Sequence, residues 1–336
     1  PSTTARAALM LPIALLLADI YRAKPGESNF GRLLMIQELQ SNNISTSAIL
    51  TATAPQIMAV GYLKDLAGIS VSWIQWLTAA LPVAVATMLF SYVAGFLLFP
   101  PEISKPREGG IEQLAEELRS LGPMTANEKK SVFLFLLTVF LWATGPLHTA
   151  MFGIKISLVM VAVLSATLFF MPFIGTLSWK DTKIPWDLMI FSCGAYAVGM
   201  TLEKSGAAAW ALGKIFGGDA LKSMSFTAVY AAAMFVAIFS HMVFTSKTVR
   251  TAILIPALIG LARALNVNPM ALALPAAFTI ADSITLPPNC KPNLIFYGTG
   301  HFSVLDQLKY GVVVLLGKWL ILILASFSWF KVLTIC

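Results

Sequence analysis

Two short runs of hydroxyl and cationic residues could do chemistry together. Ser2, Thr3, Thr4 and Arg6 lead into Ala7-Ala8-Leu9-Met10-Leu11-Pro12. Ser246, Lys247, Thr248 and Arg250 lead into Thr251-Ala252-Ile253-Leu254-Ile255-Pro256, 244 positions later, with Ser, Thr, Arg, Ala and Pro in register. Hydroxyls at the start of a helix sit beside free backbone N–H groups and the positive end of the helix dipole, so each run suits an anion. The same residue types also cap helices anywhere, and one copy alone would mean little.

A second pair of motifs strengthens the first. Thr53-Ala54-Pro55-Gln56 and Cys290-Lys291-Pro292-Asn293 lie 237 positions apart, and Pro55 to Gly61 matches Pro292 to Gly298 in pattern. Proline removes a donor and frees a carbonyl, so each motif marks a break in a helix. Paired interrupted helices in two halves of a membrane chain point to a transporter's binding site.

The cations add weight. Arg6, Lys247, Arg250 and Lys291 lie at or beside these tips and breaks. A charge inside a bilayer costs at least about 2.5–3.5 kcal/mol, so each needs a partner or a function. Asp282 is the clearest acidic neighbour in sequence. The alternatives are snorkelling to an interface or neutralisation by an incoming anion with two carboxylates. Catalysis has no support: there is no Ser-His-Asp order, P-loop or dinucleotide-binding glycine pattern. The histidines (His148, His241, His301) share no ligand spacing and read as packed or interfacial, and three cysteines make neither a disulfide framework nor a metal cluster.

Composition supplies the solvent for these motifs. Hydrophobic residues make up 57% of the 336 and charged residues 12%, and mean hydropathy is +0.79. That much apolar surface needs a bilayer. The net charge of +7 suits basic cytoplasmic loops, and no basic, aromatic-interleaved patch suggests nucleic acid.

The elements follow in order. Residues 7–18 reach only about 18 Å as a helix, too short to span and suited to one arm of a re-entrant hairpin. Residues 33–63 carry Gln37, Gln40, Ser41, Asn42, Asn43, Ser45 and Ser47, which should face protein or a cavity. A discontinuous helix over about 33–51 and 56–64 results. Residues 73–99 form a plain span. The hydrophilic segment 102–130 holds Ile111, Leu114, Leu118 and Leu121 at helical spacing, consistent with an interfacial amphipathic helix or a solvated linker.

Spans follow at 131–147 and 154–174, a short one at 186–200 and a surface segment at 207–216. Residues 226–244 descend to the second tip at 244–248, and 249–262 return from it. A second broken helix covers 268–300, with its halves at 269–286 and 294–300, and 312–330 is the last span. The chain thus divides into 1–66 (first hairpin arm and broken helix), 67–185 (scaffold spans), 186–307 (second repeat) and 308–336 (final scaffold span). An odd number of crossings between the halves makes the repeats inverted. Opening within a motif suggests that scaffold spans precede residue 1 in the full protein.

With these motifs in order, the whole chain resembles the divalent anion/sodium symporter family of dicarboxylate and citrate transporters. Ser2-Thr3-Thr4 and Ser246-Lys247-Thr248 match the family's Ser-Asn-Thr tips, and the two proline motifs match its Thr-Pro-Pro-Asn-like turns. The resemblance implies an all-α polytopic fold, an elevator-type alternating-access mechanism, a homodimer and a multi-pass location. That location is a bacterial plasma membrane or organelle inner membrane, with the C-terminus extracytoplasmic.

The resemblance also implies that tip asparagines hold sodium in coupled members. Here Thr3 and Lys247 replace them, and an ammonium repels sodium. Arginine after the first tip is similar to the exchanger branch. The expectation is therefore sodium-independent exchange of dicarboxylates such as succinate, malate or 2-oxoglutarate, with no cofactor. A sodium-coupled di- or tricarboxylate symporter is the alternative, and sodium enters only there. Other ion carriers would call for intramembrane carboxylates, and a membrane receptor would not need paired broken helices.

Overall fold

The computed structural model describes every residue except 1–2, 103–104, 155, 183–185, 208–209, 211–223 and 245. Helix is the only regular structure among the described residues. An apolar chain with no water along most of its length must satisfy its own backbone, and helices do so locally. The first half contains α1 (Thr3–Ile20), α2 (Asn29–Ala48), α3 (Ala54–Ala67) and α4 (Trp73–Leu98). Then come α5 (Gly110–Ser120), α6 (Ala126–Ala143), α7 (His148–Phe152), α8 (Leu158–Phe170) and α9 (Trp186–Lys204). The second half contains α10 (Phe226–Phe239), α11 (Lys247–Ala264), α12 (Pro269–Ala277), α13 (Lys291–Tyr297), α14 (Val304–Phe327) and α15 (Trp329–Val332). Helix α1, helix α4 and the run from α14 through α15 are long and apolar enough to cross a membrane.

Helix α1 corrects one expectation. Its apolar core is short, but the helix runs 18 residues because Thr3–Arg6 and Asp19–Ile20 extend it at both ends. At about 27 Å it approaches the thickness of a bilayer core. The surface segment expected at 207–216 lies largely outside the described residues. Of the two readings of segment 102–130, a helix forms over part of it, α5, with Ile111, Leu114, Leu118 and Leu121 all exposed on it or at its end.

Both broken helices exist, and their breaks share one backbone. In the first, Ile49 is extended, Leu50–Ala52 make one 3-10 turn, and Thr53 is extended again (φ −146°, ψ 148°) before α3. In the second, Leu286 is extended, Pro287–Asn289 make the 3-10 turn, and Cys290 is extended (φ −159°, ψ 158°) before α13. Pro55 and Pro292 each sit in the first turn of the helix that follows, where a missing N–H costs nothing. Even the strap across the break repeats. Gln56 Nε2 donates to the Thr46 carbonyl at 2.9 Å, and Asn293 Nδ2 donates to the Ser283 carbonyl at 2.8 Å.

The two breaks differ in length. Sequence periodicity expects helix up to residue 286, but α12 stops at Ala277. The cause is visible in who takes the carbonyls. Lys318 Nζ donates to Phe278 O at 3.0 Å, and Arg250 Nη2 donates to Thr279 O at 2.9 Å and to Ile280 O. Gln40 and Gln307 both donate to Ile284 O, at 3.3 and 3.2 Å. Asn293 takes Ser283 O and, at 2.7 Å, Leu286 O. Side-chain donors thus replace the intrahelical ladder, which is how unwound backbone survives at membrane depth. Pro275, which cannot donate, lies in the last turn of α12.

Packing crosses the two halves. Helix α1 packs on α2 and on α13, while α11 packs on α12 and on α3. Helices α1 and α11 therefore each touch the first half of the broken helix nearer in sequence and the second half of the other. The polar face of α2 turns inward as expected: Gln37, Gln40, Asn42, Asn43 and Ser47 are buried. Tyr310 Oη donates to Gln37 Oε1 at 2.6 Å, and Gln37 Nε2 donates to Ser91 Oγ at 3.0 Å, joining α2, α4 and α14. Gly311 lets α14 approach the second break closely, since a Cβ there would stand 2.9 Å from both Ile284 O and Thr285 Cα.

Candidate functional site

The second tip is built at the start of α11. Ser246 Oγ accepts from Val249 N at 3.3 Å and caps the helix. Thr248 and Arg250 are buried on the next turn. Lys247 is half-buried overall, but its Nζ is fully buried and has no hydrogen-bond partner. Of the Arg250 guanidinium, Nη2 reaches the unwound carbonyls of Thr279 and Ile280, whereas Nε and Nη1 find no partner. Across the break, Cys290 Sγ donates to Asn293 Oδ1 at 3.0 Å, and Pro292 and Asn293 are buried beside it. Lys247 lies within electrostatic reach of Cys290, Arg250, Asp282 and, from the first half, Arg6.

The first tip repeats this plan with a softer hand. Thr3 and Thr4 are half-buried in the first turn of α1, and Ser2 lies outside the described residues. Arg6 donates to Asn42 O at 3.3 Å, to Ser45 Oγ at 3.5 Å and to Thr46 Oγ1. Asn42 and Thr279 are 237 positions apart, so the two arginines reach carbonyls at corresponding positions, one in the next-to-last turn of α2 and the other just past the end of α12. Asn42 returns a bond of 2.9 Å to Thr3 O and ties the tip down. At the break, Pro55 is buried, and the Thr53 hydroxyl is buried without a partner.

Two placements differ from the sequence reading. Lys291 is exposed at the start of α13 and stands apart from the buried cations. Asp282 does not pair with an arginine: its Oδ2 lies 2.6 Å from Lys318 Nζ, and both side chains are 1% exposed. Lys318 belongs to the last span, and its signal in sequence is a single lysine within an apolar run. The histidines are packed, as expected. His241 is fully buried between Ile238 O (2.7 Å) and Thr285 Oγ1 (2.8 Å), and Asn289 donates to its carbonyl at 3.1 Å. His148 and His301 are buried as well.

Elsewhere, a cavity of about 600 Å³ opens between α3, α4, α6 and α8. It takes in Leu50 from the first break, with Lys64, Asp65, Trp73 and Trp142, and includes none of the candidate anion-binding residues.

Two like-built breaks, two helix starts bearing hydroxyls, and buried cations with unfilled donors make an arrangement suited to a small multivalent anion. The chain is similar to a membrane protein of Cupriavidus necator, 29% identical over 335 residues, covering 98% of this chain and 64% of that one. It is similar to the L-tartrate/succinate antiporter of Escherichia coli K12, 26% identical over 345 residues, covering 99% of this chain and 68% of the relative. The Shigella sonnei L-tartrate/succinate antiporter stands at the same identity and coverage. The chain thus spans about two thirds of the length of the curated relatives it matches. The model of the sodium:sulfate symporter transmembrane region matches residues 1–336. With its apolar helices and full-length match, this multi-pass membrane chain belongs to the divalent anion/sodium symporter family.

Proposed function

We propose that this chain carries the substrate site of a secondary transporter that exchanges dicarboxylates without sodium. The observation that carries the reading is the buried cation group at the second tip. Lys247 Nζ, Arg250 Nε and Arg250 Nη1 are buried donors with no partner. An uncompensated buried donor or charge is costly, and an anion with two carboxylates would fill such positions. Ser246, Thr248, Cys290, Pro292 and Asn293 at the second tip and break, with Thr3, Thr4 and Thr53 at the first, would contact the anion, and Ser2 lies outside the described residues. Arg6, Lys247 and Arg250 supply the compensating charge, and exposed Lys291 serves at most in attraction from the aqueous side.

Lys247 also supports sodium independence, because an ammonium already stands where a coupling cation would add like charge. The antiporter names of the E. coli and Shigella relatives agree with exchange. Alternating access would move the two arms and both broken helices together as an elevator. The packing of α4 on α2 and of α14 on α4 and α10 supports grouping these two spans with the moving body, although sequence alone assigns them to the scaffold. The same resemblance supports a homodimer. The test is counterflow of labelled succinate, malate or tartrate in proteoliposomes carrying the full protein. Uptake should require internal dicarboxylate and ignore sodium. Uptake into empty vesicles driven by a sodium gradient would defeat the reading.

A further inference from the structure

The buried ion pair Asp282–Lys318 has no counterpart in the first half. Counting back 237 positions from Asp282 gives Ser45, a neutral residue whose hydroxyl accepts from Arg6. The second half therefore places a carboxylate where the first half has a hydroxyl. Asp282 Oδ2 meets Lys318 Nζ at 2.6 Å, with both side chains 1% exposed. The neighbouring unwound carbonyls hold the same cations: Phe278 O takes Lys318, and Thr279 O and Ile280 O take Arg250. Asp282 Oδ1 has no hydrogen-bond partner. Lys247 completes the group from the start of α11, with its Nζ buried and unpartnered. One carboxylate thus stands among three cations, leaving an excess of two positive charges. Arg6 lies outside this group, at the other tip, where neutral groups of α2 hold it, and its charge is common to every variant compared below.

We infer that Asp282 tunes the valence of the anion this site prefers: as a built-in carboxylate it cancels Lys318, so the second tip presents one positive charge fewer to the substrate than its cations alone would. The inference rests on the dicarboxylate reading above and adds the residue that tilts the site toward dianions and away from trianions. Removing Asp282 raises the excess to three and should favour a trivalent anion. Removing Lys318 lowers it to one and should disfavour trivalent anions further. Removing both restores two. Taking out a buried pair together is tolerated far better than taking out one member, so the double variant also guards against loss of folding.

The experiment is counterflow in proteoliposomes of the full protein, comparing succinate with citrate at a pH where citrate is fully ionised. Asp282→Asn should raise the citrate-to-succinate ratio at least about tenfold, the scale of one unit charge at close range in a poorly screened site. Lys318→Gln should lower it by a similar factor, and the double variant should return to within about twofold of the starting ratio. An unshifted ratio in either single variant that still transports overturns the inference. So does a double variant that keeps the shift of Asp282→Asn, or loss of transport in all three variants while the parent protein is active. If the parent protein itself shows no counterflow of either anion, the dicarboxylate reading fails instead.

Discussion

At the scale of single residues, the two arginines do more than wait for substrate. Arg6 ties α1 to α2 through Asn42 O, and Arg250 ties α11 to the unwound stretch after α12 through Thr279 O and Ile280 O. Arg250 is the stricter case, since it is fully buried and serves backbone that has lost its ladder. A lysine there would keep the charge but lose the rigid guanidinium that holds Nη2 between the Thr279 and Ile280 carbonyls. Arg250→Lys should therefore lower the unfolding free energy in detergent by about 1–3 kcal/mol, the cost of a stranded buried carbonyl, and reduce counterflow at least about tenfold. A variant equal to the parent in both assays would remove Arg250 from this role. Arg6→Lys should be milder, because Ser45 and Thr46 offer hydroxyls that one ammonium can still reach. The duplicated arginines were legible in sequence because repetition in register is improbable by chance. Lys318 was legible only as a charge that an apolar span should not hold. Its partner was not, because nothing local joins residue 318 to residue 282.

Elements show how a polar break is kept in shape. Gln56 and Asn293 lace each break by donating to a carbonyl ten residues earlier. Gln56→Leu or Asn293→Leu would leave a buried carbonyl unpaired, at about 1–3 kcal/mol each. The loss should appear as faster amide exchange confined to the strapped segment, 46–56 or 283–293, and exchange unchanged there would argue against the strap. A different device holds the ends of α1 and α2. Glu102, just after Pro100-Pro101, accepts from Ser28 Oγ at 2.6 Å and from the backbone N–H of Asn29 and Phe30 at 3.0 and 3.3 Å. Nearby, Arg107 pairs with Asp19 at 2.9 Å. Partial removal from water pushes the Glu102 carboxyl up, but bonds from Ser28, from its own backbone N–H, and from the N–H groups of Phe30 and Asn29 together outweigh it and hold it below its ordinary 4.5. A carboxyl depressed in the folded state stabilises fully above its unfolded value and loses that contribution as pH falls through the folded one. Glu102→Ala should thus cost about 1 kcal/mol near neutrality, as a lost helix cap does. The gap from the parent should close only below pH 4.5. A gap already closing well above that value would mean that the carboxylate is not the group that matters. Break positions were readable from proline and polarity; the early end of α12 was not, since it depends on donors supplied by α2, α11 and α14.

For the molecule as a whole, the cross-packing of arms and half-helices makes the two halves one body around the cations. Arg6 on α1 and Lys247 and Arg250 on α11 sit on helices that each pack against half of both broken helices, so the charge belongs to the assembled body and not to either tip. Under the exchange reading, this body crosses the membrane loaded with a dicarboxylate and returns loaded with another. Returning empty would carry the excess positive charge through a medium that resists it, at about 2.5–3.5 kcal/mol per charge. Each such increment slows the empty return by roughly 70- to 400-fold. Lys247 is the informative residue, because its ammonium holds up no carbonyl and its removal strands no backbone group. Lys247→Asn should therefore leave the fold intact and ease the empty return. Vesicles preloaded with labelled succinate should then leak it into substrate-free buffer at least about tenfold faster than with the parent protein, while exchange against external succinate changes less. If efflux from the Lys247→Asn protein still demands external dicarboxylate as strictly as before, the buried charge is not what makes exchange obligatory. The coupling would then have to reside in how the breaks close around the anion.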